Sequence, residues 1–411
     1  MHAKIAIVAN TPESFRFLLR AQLDCLREEG FEVHCVSGPG PYTSVLRRDG
    51  FVIHEVPLTR LLRPRDDLRA LTSMVGIFRR ERFALVHTHT PKAAILGQLA
   101  SRMAGIEHIV NTVHGLLAHD ATPFLRRLVL EPVDRLMCGL STAVLSQSAE
   151  DVERAIRRHI CRQDKIRTLG QGIELARFDP SRFSPQRRRE IRHEFGIPRH
   201  ALVVTMVARF SAEKGYREFF VMAREIASRR GDVHFVIVGT TLDERDPVHV
   251  RPDSHDLQGR LTVLMDRTDM PDILSIADLV VLPTYREGFP RSLVEAATMG
   301  IPVVSTRIRG CREAVTDGET GLLVAPRDAS ALVDAVELLL EDGERRRRMG
   351  AQARRRACRE FDERRVCERV LALYHGLLNA PAKRSATAPL TWKDTSGSID
   401  QHPKEHRCAT S

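Results

Sequence analysis

Short runs of aliphatic and β-branched residues alternate with longer amphipathic stretches along most of this chain. The runs Lys4–Ala9, Glu32–Ser37, Val52–Val56, Leu85–His89, Ile109–Val113 and Ala143–Ser146 predict strands. Between them, Phe15–Glu29, Lys92–Ala104 and Pro123–Leu140 repeat apolar positions at helical spacing. Such alternation predicts βαβ units and parallel sheets. The pattern breaks at Glu174–His200, where Pro180, Pro185, Pro198 and the polar run Arg187–Glu190 predict a connector. A second series follows: Leu202–Ala208, Val233–Val238, Leu261–Leu264, Leu279–Leu282, Val303–Ser305 and Leu322–Val324. The expectation is an α/β protein with two doubly wound domains, at 1–173 and 201–360, joined by a linker at 174–200. Helical patterns at Ala331–Glu341, Glu344–Arg359 and Asp362–Leu378 close the folded part, with 361–378 as a C-terminal helix. Residues 379–411 lack periodicity and are expected to form a disordered tail. Ligands of doubly wound sheets bind beyond the carboxyl ends of the strands, so the cleft between the domains is the expected site.

Length agrees with this organisation, because 411 residues exceed what one compact core usually serves. No run approaches the apolar length of a membrane-spanning helix, and the first residues read as a strand rather than a leader. Eight cysteines lie scattered without a Cys-x-x-Cys pair, which suggests a reducing compartment and neither zinc nor a disulfide framework. A net charge of +10 favours an anionic partner. Aromatic residues make up only 5% and do not interleave with the basic ones, so no nucleic-acid partner is expected. Arginines among apolar residues, in Leu58–Arg65 and Phe124–Leu130, suit either an anionic membrane surface or a core-facing helix with a basic rim.

Two segments carry candidate chemistry. In Tyr285-Arg286-Glu287-Gly288-Phe289-Pro290-Arg291-Ser292-Leu293-Val294-Glu295, a strand runs into a carboxylate, a glycine and a proline at the predicted first position of a helix. That helix start offers free N–H groups to an anion, and a second carboxylate follows one to two turns on. In Val207-Ala208-Arg209-Phe210-Ser211-Ala212-Glu213-Lys214-Gly215, two cations follow the first strand of the second domain. They can converge on a diphosphate and neutralise charge on a leaving group, or they can be surface cations, one capped by Glu213.

These two segments resemble the signatures of the retaining family-four glycosyltransferases with the GT-B fold. Supporting similarity runs through Met299-Gly300-Ile301-Pro302-Val303-Val304, Gly321–Val324 and Gly170–Glu174. The resemblance implies two Rossmann-like domains facing each other across a cleft, with C-terminal helices packing back. It implies that Arg209 and Lys214 hold the donor diphosphate, that Glu287 lies near the donor sugar, and that Glu295 meets the nucleotide ribose. Gly288, Phe289 and Pro290 would present backbone to phosphate and sugar, and Asp266 and Arg267 would lie near the base. His87–Lys92 and Asn111–Gly115 resemble a bacterial subgroup that extends polyprenyl-diphosphate-linked or capsular glycans. His114 is thereby expected beside the donor sugar, with His89 and Lys92 on the acceptor side.

Two departures stand out. Ala9–Phe15 has no glycine where relatives have a glycine-rich loop, and Met265 stands where relatives place glycine before the base pocket. A metal reading exists for His87, His89, His114 and His119, but the resemblance implies none, and no cofactor beyond the nucleotide sugar is expected. The expected activity is transfer of a hexosyl or N-acetylhexosaminyl group from a UDP-sugar to a glycan or polyprenyl-diphosphate-linked hydroxyl, with retention, in cell-surface polysaccharide biosynthesis. The alternatives are a UDP-sugar epimerase on this scaffold and a non-catalytic binding protein. A cytoplasmic protein, peripheral on the inner face of the membrane, is the expected setting.

Overall fold

A computed structural model describes residues 3–59, 61–119, 122–240, 257 and 259–379. Beyond Asn379 the expected tail lies outside these residues. The first sheet contains Lys4–Val8 (β1), Glu32–Ser37 (β2), Val52–Glu55 (β3), Leu85–His89 (β4), His108–Val113 (β5), Ala143–Ser146 (β6) and Ile166–Thr168 (β7). Its order is β3-β2-β1-β4-β5-β6-β7, with every pairing parallel. The second contains Leu202–Val207 (β8), Val233–Gly239 (β9), Leu261–Met265 (β10), Leu279–Leu282 (β11), Val303–Thr306 (β12) and Gly321–Val324 (β13). Its order is β10-β9-β8-β11-β12-β13, again all parallel.

Helices cover both faces of each sheet, which is why Ile5–Val8 of β1 and Leu279–Leu282 of β11 are unbroken apolar runs rather than alternating. In β1, Ile5 and Ile7 face one layer and Ala6 and Val8 the other, following the two-residue period of a strand. Leu23 and Leu26 of helix Arg20–Glu28 pack on the first face, together with Val370, Leu373, Tyr374 and Leu377. The opposite face meets Ala70, Met74 and Phe78 of helix Pro64–Glu81, and Ala93 and Ala100 of helix Pro91–Met103. The last helix, Glu363–Leu378, thus belongs with the first sheet. The chain divides into one unit of Met1–Gly170 with the segment from Arg364, and a second of Gln171–Glu363.

Two local features differ from the sequence expectation. Within the stretch read as a connector, Pro185–Glu194 forms a helix, started by Ser184 Oγ accepting from the Arg187 N–H at 3.1 Å. Only Ile191 of that helix is buried, so it shows no apolar stripe. Strand β7 was also unforeseen, being three residues long with one buried position.

What matters for function is where the strand order reverses. In the first sheet this lies between β1 and β4, and in the second between β8 and β11. Connections leave such a point in opposite directions and open a crevice at the carboxyl ends of the two strands.

Candidate functional site

In the second unit, β8 leads through Ala208–Ser211 into the tight turn Ala212–Lys214. Gly215 ends the turn with φ 77°, and a Cβ there would stand 1.9 Å from the Pro283 carbonyl oxygen. Glycine therefore serves twice, for left-handed backbone and for close approach. The approach locks the turn to the segment after β11: the Glu213 carbonyl accepts from the Tyr285 N–H at 2.7 Å and from the Thr284 hydroxyl at 3.1 Å. Lys214 Nζ then lies 2.7 Å from Glu287 Oε1, with side chains only 11% and 13% exposed. The pair spans the β8/β11 crevice. Arg209 sits further out, half exposed, with its guanidinium 3.3 Å from Glu213 Oε1.

Pro290 is the N-cap of helix Arg291–Thr298 rather than its first residue, and its carbonyl accepts from the Leu293 N–H at 3.2 Å. One turn in, the buried Glu295 accepts from Arg291 Nε at 2.9 Å. Gly288 is held by a neighbour: a Cβ on Gly310, at φ 77°, would meet the Gly288 carbonyl oxygen at 2.4 Å. The Phe289 ring stands edge-on to Phe361, with centroids 5.8 Å apart. Below the pair, burial and then the Glu287 charge push the Cys311 thiol up to about 12, so it stays protonated.

Asp266 and Arg267 follow β10. Asp266 has φ 51° and donates its N–H to the Gly239 carbonyl at 2.8 Å. Arg267 is committed locally, bonding Asp269 at 2.8 and 2.5 Å and standing 5.2 Å from the Phe195 ring centroid. Met265 is exposed at the strand end.

In the first unit, His87 and His89 on β4 and His114 after β5 form a buried cluster. The His87 ring nitrogens lie 2.7 Å from Tyr374 Oη and 2.7 Å from Thr112 Oγ1. His89 Nδ1 lies 3.1 Å from His114 Nε2. Burial, with His114 adding, pushes His87 down to about 3. Burial likewise holds His89 well below the usual imidazole value, helped by His87 and His114, and lowers His114. All three rings are therefore neutral at neutral pH, so one nitrogen of the His89–His114 pair donates and the other accepts. Thr90 follows at φ 64°, unusual for a β-branched residue, and its Oγ1 accepts from the Asn10 N–H at 3.3 Å across the β1/β4 reversal. Lys92 is engaged by Asp67, by Thr59 Oγ1 at 3.3 Å and by the Leu61 carbonyl at 2.5 Å, so its charge anchors the loop before helix Pro64–Glu81. His119 donates its N–H to Thr122 Oγ1 at 2.9 Å. Among the described residues no three His, Cys, Asp or Glu side chains are grouped to hold a metal.

Two residues at this site had no sequence signal. Buried Asp151 accepts from the Leu116 N–H at 3.0 Å, and buried Asp134 accepts from the Leu117 and Ala118 N–H groups at 3.3 Å each. They pin the segment that leaves His114 through Gly115, whose φ is 131°. A buried carboxylate satisfied by backbone donors is stable, but its type and spacing resemble any polar helix position.

The second unit thus places a paired cation, a second cation at the rim and a helix start around one crevice, an arrangement suited to an anion. The family model described as "Glycosyl transferases group 1" matches residues 187–356, and "Glycosyl transferase 4-like domain" matches 19–172. The chain is 30% identical over 287 residues to the alpha-D-kanosaminyltransferase of Streptomyces kanamyceticus, covering 67% of this chain and 72% of that protein. It is 28% identical to the UDP-Gal:alpha-D-GlcNAc-diphosphoundecaprenol alpha-1,3-galactosyltransferase of Escherichia coli, covering 78% and 83%. Among solved structures, Anabaena Alr3699/HepE in complex with UDP and glucose superposes with a TM-score of 0.74 at 19% identity, covering 91% of this chain and 99% of that one.

Proposed function

This chain belongs to the group 1 glycosyl transferases with the GT-B fold, and from that membership we propose how its own residues handle donor and acceptor. The donor is a UDP-sugar, hexosyl or N-acetylhexosaminyl, and its pyrophosphate lies at the carboxyl ends of β8 and β11. The observation that carries this reading is the Lys214–Glu287 pair, 2.7 Å apart with Arg209 at the rim. A diphosphate entering there would draw Lys214 into a charge-assisted hydrogen bond and supply the anion that Arg209 faces. The N–H groups at the start of helix Arg291–Thr298 add positive potential, and Glu295 within that helix offers a carboxylate to the ribose hydroxyls. With two cations and a helix start supplying the countercharge, the reaction proceeds without a bound metal.

The configuration is retained by attack on the face the diphosphate leaves. The acceptor hydroxyl forms the new bond to the anomeric carbon as the bond to the diphosphate oxygen breaks. Its proton passes to that departing oxygen, so charge and atoms balance without a covalent adduct. Glu287, held by Lys214, faces the sugar rather than attacking it. The acceptor is a glycan or polyprenyl-diphosphate-linked sugar, a reading supported by the activity of the Escherichia coli relative, and the proposed setting is the inner face of a membrane. No helix among the described residues is long and apolar enough to cross one.

The test is transfer from labelled UDP-sugars to a sugar-diphosphate-lipid acceptor, with the anomeric centre read by NMR. A retained linkage supports the reading. An inverted linkage, or interconversion of UDP-sugars without acceptor, overturns it.

A further inference from the structure

Large apolar side chains stand in solvent at one edge of the first unit. In a parallel sheet the connecting helices run back against the strands, so their N-termini lie at the edge where the strands end. Helices Pro64–Glu81 and Phe124–Leu140 therefore both begin at the edge that carries His89 and Thr90. At the start of the second, Phe124, Leu125, Leu128 and Val129 are 70%, 76%, 58% and 66% exposed. They cover two turns of one face, while Asp134, Met137 and Cys138 are buried on the other. At the start of the first, Leu62 and Leu68 are 85% and 62% exposed. Soluble proteins scatter such residues singly; grouped at the starts of two helices that both pack against helix Pro91–Met103, they indicate a surface with an occupant.

Charge identifies that occupant. Arg63, Arg65 and Arg126 are exposed and lie within the same two chain segments as the apolar side chains. Among the described residues, the acids beside Arg63 and Arg65 are already engaged, Asp67 with Lys92 and Asp66 with Arg69 at 3.8 Å. A surface of aliphatic and aromatic side chains fringed by uncompensated arginines matches the boundary of an anionic bilayer, where apolar groups enter the acyl region and guanidinium groups reach phosphates. Leu58, from the same sequence run, is 2% exposed and belongs to the core, so the lipid-facing part begins at Leu61.

We propose that this edge is a lipid-docking rim, through which helix starts Phe124–Val129 and Leu61–Leu68 seat the first unit on an anionic bilayer. The proposal rests on the lipid-linked acceptor in the reading above and adds the surface that brings the protein to it. Docking has a direct line to the site. The helix whose outer face meets lipid carries Asp134 on its inner face, and Asp134 holds the segment after His114. The rim therefore places the acceptor edge at the membrane surface and braces its loop there.

The experiment is sedimentation with vesicles of phosphatidylethanolamine containing a quarter phosphatidylglycerol, and with phosphatidylcholine vesicles as control. The full chain is expected to pellet with the anionic vesicles, and to be released by salt in part because exposed charge is screened. Phe124→Glu/Leu128→Glu and, separately, Leu62→Glu are expected to lower the bound fraction about tenfold or more. Their UDP affinity, their melting and their transfer to a water-soluble acceptor are expected to match the parent. Wild-type pelleting by these variants overturns the proposal. So does failure of the parent chain to pellet, or a parent dimer that the variants convert to monomer, which would make a second copy the occupant. Vesicle binding without transfer would instead refute the donor reading and leave the rim standing.

Discussion

Lys214 Nζ lies 2.7 Å from Glu287 Oε1, joining the turn after β8 to the segment after β11 at the point where the strand order reverses. The pair does two things at once. It holds a cation in the crevice and it ties together the two segments that form its walls.

Removing one partner leaves the other charged and nearly enclosed. Lys214→Ala is expected to abolish transfer and to cost about 3 kcal/mol of stability or more. Lys214→Ala/Glu287→Ala should recover part of that loss in urea unfolding while transfer stays absent. Recovered activity in the double variant would mean the pair is structural only.

Gly215 shows how much the crevice depends on close approach. Gly215→Ala adds a Cβ 1.9 Å from the Pro283 carbonyl oxygen at φ 77°. Gly318, at φ 79°, has nothing within 4 Å of the same position. Gly318→Ala should therefore cost about 1 kcal/mol, the backbone term alone, and Gly215→Ala clearly more, with weakened UDP binding. Equal losses in thermal unfolding would show that the contact with Pro283 is relaxed away.

The histidine cluster predicts an acid limb of stability. His87, His89 and His114 are held neutral by burial, with His87 down at about 3. Unfolded, each imidazole titrates near 6.5. Between those values the unfolded chain binds protons that the folded one refuses, so stability rises with pH. For His87 it is complete above about 6.5 and lost as pH falls toward 3, by up to about 1.4 kcal/mol per pH unit, and His89 and His114 act in the same direction. Replacing His87 by Gln should flatten the unfolding free energy between pH 4 and 6.5 by about one such slope. An unchanged slope would place the acid sensitivity elsewhere.

Asp151 and Asp134 predict a local effect. Asp151→Ala removes a buried carboxylate that accepts from the Leu116 N–H, a loss of about 1 to 3 kcal/mol. Hydrogen exchange at Leu116, Leu117 and Ala118 should quicken ahead of the sheet, and the acceptor KM should rise more than the UDP affinity falls. Uniform quickening across the first unit would instead indicate general destabilisation.

Most strands were legible because parallel strands buried on both faces are mainly apolar, as Val203, Val204 and Met206 in β8 are. Arg209, Lys214, Glu287 and Glu295 were legible as well, since each sits just past such a strand or on the helix that follows. Other features left no trace. Helix Pro185–Glu194 buries only Ile191, and β7 is three residues long, so neither has enough pattern to detect. Asp134 and Asp151 act through backbone donors 16 to 35 residues away in a loop whose path only the fold defines. Lys92, expected to face an acceptor, is taken up by Asp67 and the Leu61 carbonyl because the loop before helix Pro64–Glu81 folds over it. Leu58 and Leu62 share one sequence run, yet one is core and the other is solvent-facing.

The central claim is that Arg209 and Lys214 recognise a pyrophosphate, and calorimetric titration of UDP against uridine measures it directly. The intact protein should bind UDP far more tightly than uridine, and Arg209→Met and Lys214→Met should each remove about tenfold or more of that preference while uridine affinity holds. Equal affinity for UDP and uridine in the intact protein, or a preference that survives both substitutions, would contradict it.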